Sequence, residues 1–267
     1  MLGRNMPRKT VPEIKAGKNK EPLAVLTCHT APMAKILDKH VDILLVGDSL
    51  GMVVYGMEST LPVTLDIMIN HGRAVVKASS NALVVVDMPF GSYQSSRKTA
   101  FENAARIMAA TGCQAVKLEG GLEMRETVRH LVKGGIPVMG HIGLMPQHVN
   151  TVGGYKFRGR TAEEREKLKS DALALEQAGA FSIVIEAVAE TAAREITEAL
   201  KIPTIGIGAS AKCDGQVLVV DDMLGLSPGA PKFVKKFGRL AEEIEKAAVS
   251  YARAVKSRQF PGKDNLY

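Results

Sequence analysis

The sequence predicts an α/β protein folded as a single (β/α)8 TIM barrel. Three observations predict it: eight short aliphatic runs, helix-period segments between most of them, and carboxylates placed at the ends of the runs rather than in their middles. In the first half the runs are PLAVLTCH (22–29), ILLVGD (43–48), LVVVDMP (83–89) and QAVKLEG (114–120). In the second half they are PVMGHIG (137–143), FSIVIEA (181–187), PTIGIGA (203–209) and QVLVVDD (216–222). Most end at or beside Gly, Pro or an acid, and their continuous apolar character suits strands covered on both faces, as in parallel sheets. Parallel neighbours need long crossovers, which the intervening segments supply. Eight such units suggest closure into a barrel. The alternative is an open doubly wound sheet, but no G-x-G-x-x-G marks the first strand–helix turn.

The crossovers carry helix signals of their own. In 96–112, Ala100, Ala104, Ile107 and Met108 share a face and Gly112 follows as a stop. In 161–179, Thr161 caps, Glu164 completes a capping box, and Leu168, Ala172 and Leu175 form a stripe before Gly179. No linker or low-complexity tract breaks the chain. Residues 1–267 therefore read as one barrel domain, with an N-terminal extension over 1–21 and a tail, SRQFPGKDNLY (257–267), that lies against the surface or frays.

Composition narrows the function classes. Hydrophobic residues make up 46% of 267 and aromatics only 4%, with no Trp, which favours an aliphatic core and argues against a single-strand nucleic-acid binder needing rings for stacking. Much of the +7 net charge lies at the ends, on Arg4, Arg8, Lys9, Lys15, Lys18 and Lys20 and on Lys232, Lys235, Lys236 and Arg239. Solvated termini and attraction for a small anionic substrate account for it better than a nucleic-acid partner. Cys28, Cys113 and Cys213 are odd in number and far apart, so neither a disulfide framework nor a zinc site is expected and a reducing compartment fits. The first twenty residues lack the apolar run of a signal peptide, and no stretch reaches about 18 apolar residues. The expectation is a cytoplasmic protein with no membrane partner.

Asp48, Asp87, Glu119 and Glu186 close the second, third, fourth and sixth runs. In a barrel those ends form one rim, where sites are built from several strands. Alternation puts Lys117 on the same face as Glu119. Uncompensated, Asp48, Asp87 and Glu119 would repel one another, and a divalent cation removes the conflict, with an all-oxygen site suiting Mg²⁺. Taken one at a time such acids cap helices or pair with Lys and Arg; four strand-end acids together favour a shared site.

Ser49 lies in Gly47-Asp48-Ser49-Leu50, the letters of a serine-hydrolase group. All six histidines precede residue 149 and none has an Asp three positions earlier, so no late D-x-x-H base exists, and G-x-S-x-G is absent. Ser49 reads as a hydrogen-bond donor beside Asp48, or simply as a turn residue. His141 ends the fifth run as a neutral hydrogen-bonding group or a direct participant. The loop 146–160 (PQHVNTVGGYKFRGR) is either an active-site lid or a surface connection. Gly206, Gly208 and Ala209 let a ligand approach the backbone or pack a narrow barrel end.

In order along the chain, LLVGDSLGMVVYG, STLPVTLD, VDMPFGSYQ, AVKLEGG, GHIGLMPQ, GGYKFRGR, VIEAV, PTIGIGA and DGQVLV closely resemble the ketopantoate (3-methyl-2-oxobutanoate) hydroxymethyltransferase family, from about residue 22 to 240. The resemblance implies a barrel related to the phosphoenolpyruvate/pyruvate enzymes and a homo-oligomer, often a decamer. It implies transfer of a one-carbon unit from 5,10-methylenetetrahydrofolate to 3-methyl-2-oxobutanoate, giving 2-dehydropantoate for pantothenate synthesis, with one Mg²⁺ per subunit. Carried over motif by motif, it makes Asp48, Asp87 and Glu119 the metal residues. Asp48, Ser49, Asp87 and Lys117 become substrate-binding residues, and Glu186 the proton acceptor. The chain departs from the family at His29-Thr30, where many members have Tyr-Asp, and at Ser210, where GIGAG becomes GIGAS. A metal-dependent carbon–carbon lyase or mutase of the same superfamily is the rival expectation.

Overall fold

Aliphatic runs with few charges inside them are stable only where both faces are covered, and the chain puts them there. The computed structural model describes residues 8–154, 156–227 and 229–267. Among these residues the strands are β1 (Leu23–Thr27), β2 (Ile43–Val46), β3 (Leu83–Asp87), β4 (Ala115–Glu119), β5 (Val138–Gly143), β6 (Ser182–Glu186), β7 (Thr204–Ile207) and β8 (Gly215–Leu218). Each pairs in parallel with the next, and β8 pairs with β1, so the sheet closes into the predicted barrel.

The chain divides into two compact units, Met1–Val219 and Val220–Tyr267. Helices of the first are α1 (Val11–Lys15), α2 (Ala31–Leu37), α3 (Leu50–Val53), α4 (Leu65–Ala78), α5 (Arg97–Thr111), α6 (Arg125–Lys133), α7 (Val149–Val152), α8 (Ala162–Ala178) and α9 (Glu190–Ala199). The second unit holds α10 (Val220–Leu224) and α11 (Leu240–Lys256). No described helix is long and apolar enough to cross a membrane.

Helix boundaries follow their caps. Ser96 accepts from the N–H of Thr99 to open α5, and Gly112, at φ 76°, closes it in the left-handed region where a side chain would be strained. Thr161 likewise caps α8 and Gly179, at φ 102°, ends it. Glu164 N donates to Thr161 Oγ1 at 3.2 Å, and Glu164 Oε2 reaches back to accept from Arg160 N at 2.7 Å, one residue before the cap. The eighth run ends early as a strand. After Leu218 the backbone turns into α10, with Asp221 and Asp222 in its first turn, where acids favour the positive helix terminus.

The basic N-terminal stretch is less solvated than its charge suggests. Thr10 and Glu13 form a reciprocal capping box for α1. Its Ile14, only 1% exposed, joins the core cluster of Leu23, Ile43, Leu83 and Ile205. Arg8 donates to Ala82 O at 2.7 Å, Lys9 pairs with Asp42, and Lys18 pairs with buried Asp214 at 2.9 Å. These three cations are tethers, while Lys15, Lys20, Lys232, Lys235, Lys236 and Arg239 are exposed as expected; Arg4 lies outside the described residues. In the tail, the Phe260 ring meets Tyr251 edge-on at 5.6 Å.

Candidate active site

Two-residue alternation decides which side chains enter the barrel. Val85, Ala115, Met139 and Val184 belong to the core cluster, so Asp87, Lys117, Glu119, His141 and Glu186 follow them inward at the C-terminal end. Lys117 is the Cα partner of Asp87, and His141 that of Glu119. Asp48 joins them from the turn between β2 and α3, where its N–H donates to Asp87 Oδ2 at 3.1 Å. Glycine suits position 47, since a Cβ there would press on Ser49 Oγ at 3.1 Å, with Asp87 Oδ2 in ordinary contact at 3.6 Å.

The acids, the lysine and the histidine form one connected array. Asp87 Oδ1 pairs with Lys117 Nζ at 2.8 Å. Gln147 Nε2 donates to Asp48 Oδ2 at 2.8 Å, and Gln147 N donates to Glu119 Oε2 at 3.1 Å. His141 bridges onward, with Nδ1 3.9 Å from Glu119 Oε1 and Nε2 3.4 Å from Glu186 Oε2. Nε2 is also 2.8 Å from Leu144 O, which makes it the protonated nitrogen. Asp48, Asp87, Lys117, Glu119 and His141 are buried, while the Glu186 side chain keeps 18% exposure toward the mouth.

Burial and crowding set the charges. Burial, reinforced by Asp87, lifts Asp48 to about 6. Burial and then the Asp48 charge push Glu119 well above the carboxylate range. Burial raises Glu186 to about 8. Burial opposes the Lys117 ammonium, but Asp87, Asp48 and Glu119 outweigh it and keep it protonated. His141 is held neutral by burial, aided by Lys117. One lysine thus faces four carboxyl groups.

The backbone is strained beside Glu186. Ala187 stands at φ 47°, a conformation uncommon for a side-chain-bearing residue. Its N–H donates to Ile207 O and its carbonyl accepts from Arg158 N, both at 2.9 Å, so neighbours on two sides impose it. Arg158 anchors the far end of the 146–160 loop there, while Gln147, 4% exposed, anchors the near end.

The sequence-predicted residues therefore meet at one mouth, with Glu119 joined to Asp48 through Gln147. Among the described residues no three His, Cys, Asp or Glu groups stand as a ready metal cage. The donor set nonetheless suits a hard cation of low protein-ligand demand. Mg²⁺ commonly takes one or two carboxylates and completes its shell with water and substrate oxygens, and Asp48 and Asp87 adjoin in surplus negative charge. Ser49 Oγ is buried without a partner, and no described base touches it, which removes the hydrolase reading. Gly206 faces Gln216 and Cys213, so its role is close packing; Gly208, at φ 58°, lies in the bend after β7. His29 is buried with neither ring nitrogen partnered, and burial, then His71, lowers it to about 4. Ser210 Oγ donates to Glu190 Oε1 at 3.1 Å.

Sequence reasoning missed Gln147 and Tyr93. Gln147 has no periodic signature, whereas a fully buried Tyr in a chain with 4% aromatics is a weak signal.

The family described as ketopantoate hydroxymethyltransferase matches residues 8–263. The chain belongs to that family. Among its relatives is the 3-methyl-2-oxobutanoate hydroxymethyltransferase of Rhodospirillum centenum, 60% identical over 261 residues, covering 97% of this chain and 95% of that one. The protein of the same name from Brucella melitensis is 59% identical over the same shares. As a ketopantoate hydroxymethyltransferase family member the protein is an enzyme. Solved structures share the fold at low identity. A phosphonopyruvate hydrolase in complex with oxalate and Mg²⁺ aligns at TM-score 0.61 and 11% identity, covering 96% of this chain and 93% of that one. A phosphoenolpyruvate phosphomutase from Streptomyces platensis subsp. rosaceus aligns at 0.63 and 12%, covering 93% and 88%.

Proposed function

We propose that the protein transfers a hydroxymethyl group from 5,10-methylenetetrahydrofolate to 3-methyl-2-oxobutanoate, giving 2-dehydropantoate for pantothenate biosynthesis. Relatives at 59–60% identity carry the corresponding name. The observation that carries the chemistry is Glu186, a carboxylate lifted to about 8 at the mouth of a barrel that also holds Lys117 and the Asp48–Asp87 pair.

A base must be poised near the operating pH, and burial places Glu186 there. It takes the C3 proton of the keto acid, and the carbanion formed is drawn toward the keto oxygen as an enolate. Lys117 offsets negative charge on the bound acid, and the Ser49 hydroxyl supplies a hydrogen bond to it. His141, neutral and with its Nε2–H given to Leu144 O, packs 3.4 Å from the Glu186 carboxylate and limits the space around the base. Asp48 and Asp87, with Glu119 nearby, would hold one Mg²⁺ per subunit. When bound, that cation supplies Lewis-acid polarisation of the keto group and acidifies C3. The enolate carbon bonds to the methylene carbon of the folate. The two C–N bonds of that carbon break with their electron pairs left on the nitrogens, which take up protons, and water supplies the new hydroxyl. With one water added overall, the products are the hydroxymethylated keto acid and tetrahydrofolate.

The test mixes enzyme, 3-methyl-2-oxobutanoate, Mg²⁺ and deuterated water and follows the C3 proton by NMR. Enzyme-dependent loss of that signal, abolished by EDTA, is expected; a persistent signal overturns the reading. Product should form only with methylenetetrahydrofolate, and folate-independent cleavage or rearrangement would favour a lyase or mutase instead.

A homo-oligomer is part of the same proposal. Helix α11 buries none of its 17 residues, yet Ile244, Ala248, Tyr251 and Val255 line one face. A cytoplasmic setting suits three buried cysteines of which none forms a disulfide among the described residues.

A further inference from the structure

Asp48 and Glu119 sit at the ends of strands separated by β3, and Gln147 hydrogen-bonds both. We infer that Gln147 is a positioning residue that sets the frame of these two carboxylates and ties that frame to the segment after β5. The inference rests on the reading that the acids hold a divalent cation.

Hydrogen-bond accounting fixes the orientation of the Gln147 amide. Glu119 N donates to the Tyr93 hydroxyl at 3.1 Å, so the hydroxyl spends its own proton on Gln147 Oε1, 2.6 Å away. Gln94 Nε2 also donates to Oε1, at 3.2 Å. Nε2 must therefore be the atom facing Asp48 Oδ2, and its second proton goes to Met88 O at 3.0 Å. Every polar atom of the side chain is engaged, and the residue is buried. The backbone N–H of the same residue holds Glu119 Oε2. Gln147 lies in the 3₁₀ turn Pro146–His148 that opens the 146–160 loop. A shift of that turn would move both carboxylates, and a cation that fixes the carboxylates would fix the turn.

Groups that orient metal ligands commonly change metal affinity by about 10–100-fold when removed. Gln147→Met keeps the backbone N–H and much of the volume but loses the donors to Asp48. Tyr93→Phe removes only the hydroxyl that locks the amide. Titration with Mn²⁺, with free ion followed by electron paramagnetic resonance, should show one site per chain in the parent. Gln147→Met should weaken its Kd about tenfold or more, and Tyr93→Phe should shift it less in the same direction, with melting curves near the parent's. Unchanged affinity in folded variants overturns the role of Gln147 and leaves the cation site standing. Failure of the parent to bind Mn²⁺ overturns the cation site and this inference together. If Gln147→Met does not fold, Tyr93→Phe decides alone. Trypsin cleavage after Lys156, Arg158 or Arg160 gives a second readout: saturating Mn²⁺ should slow it in the parent and not in Gln147→Met. Equal slowing in both overturns the coupling to the loop.

Discussion

Glu186 acquires its chemistry from where its strand ends. A carboxyl there is desolvated enough to reach about 8 yet retains a face to the mouth. As a base it works only when ionised, so the rate of C3 exchange should climb with pH toward about 8 and level off above it; a flat profile from pH 6 to 9 would count against Glu186. The same shift has a stability sign. Its folded pKa is raised above the ordinary 4.5, so its contribution is intact below that value and lost as pH rises through about 8. Glu186→Gln should therefore lose at least about a hundredfold in C3 exchange yet melt higher than the parent at pH 8, with the difference vanishing below pH 4. Calorimetry and NMR on the same variant check both halves. Lys117→Met removes the cation paired with Asp87 and should cost about 3 kcal/mol at pH 7, less at pH 5 as the acids protonate. Urea unfolding at the two pH values reads that difference. The four strand-end acids and Lys117 were legible because a charge closing an apolar strand is conspicuous. Gln147 was not, because nothing local marks a neutral amide in a loop whose partners lie 28 and 99 residues away.

At the scale of elements, the strands were legible because continuous aliphatic runs leave little alternative, and α5 and α8 because Ser96, Thr161, Gly112 and Gly179 mark their ends. Two boundaries were obscured by competing signals. QVLVVDD reads as one strand until the acids are seen as the first turn of α10. The basic charge of the first twenty residues hid α1, whose single buried side chain, Ile14, gives too short a period to recognise. Beside it, Asp214 accepts from Asn19 N and Thr204 N and pairs with Lys18. Burial would raise its carboxyl, but those donors hold it below the usual range. Stability from Asp214 is thus present above the ordinary carboxylate value and lost as pH falls through its lowered one. Asp214→Ala should cost about 3 kcal/mol at neutral pH, lowering Tm by roughly 6–12 °C. The deficit should shrink in acid. Activity at 25 °C should survive, because Asp214 precedes β8 at the strand-entry end, opposite the mouth; lost activity in a folded variant would contradict that separation.

At the scale of the molecule, closure of the barrel follows from eight similar runs, whereas the fate of the α11 stripe depends on what covers it. If that cover is another copy, replacing Ile244 and Tyr251 by Glu should convert an oligomer into single chains by sedimentation velocity. A parent that already sediments as a single chain would end that reading. The floor of the barrel has a different consequence. Ile14 packs into the core at that end and Asp214 is held there by Lys18, whereas Glu186 keeps its exposure at the opposite rim. On the proposed function, reactants and products therefore share that rim. Sharing one rim makes a lingering product an obstacle to the next turnover simply by standing in the way.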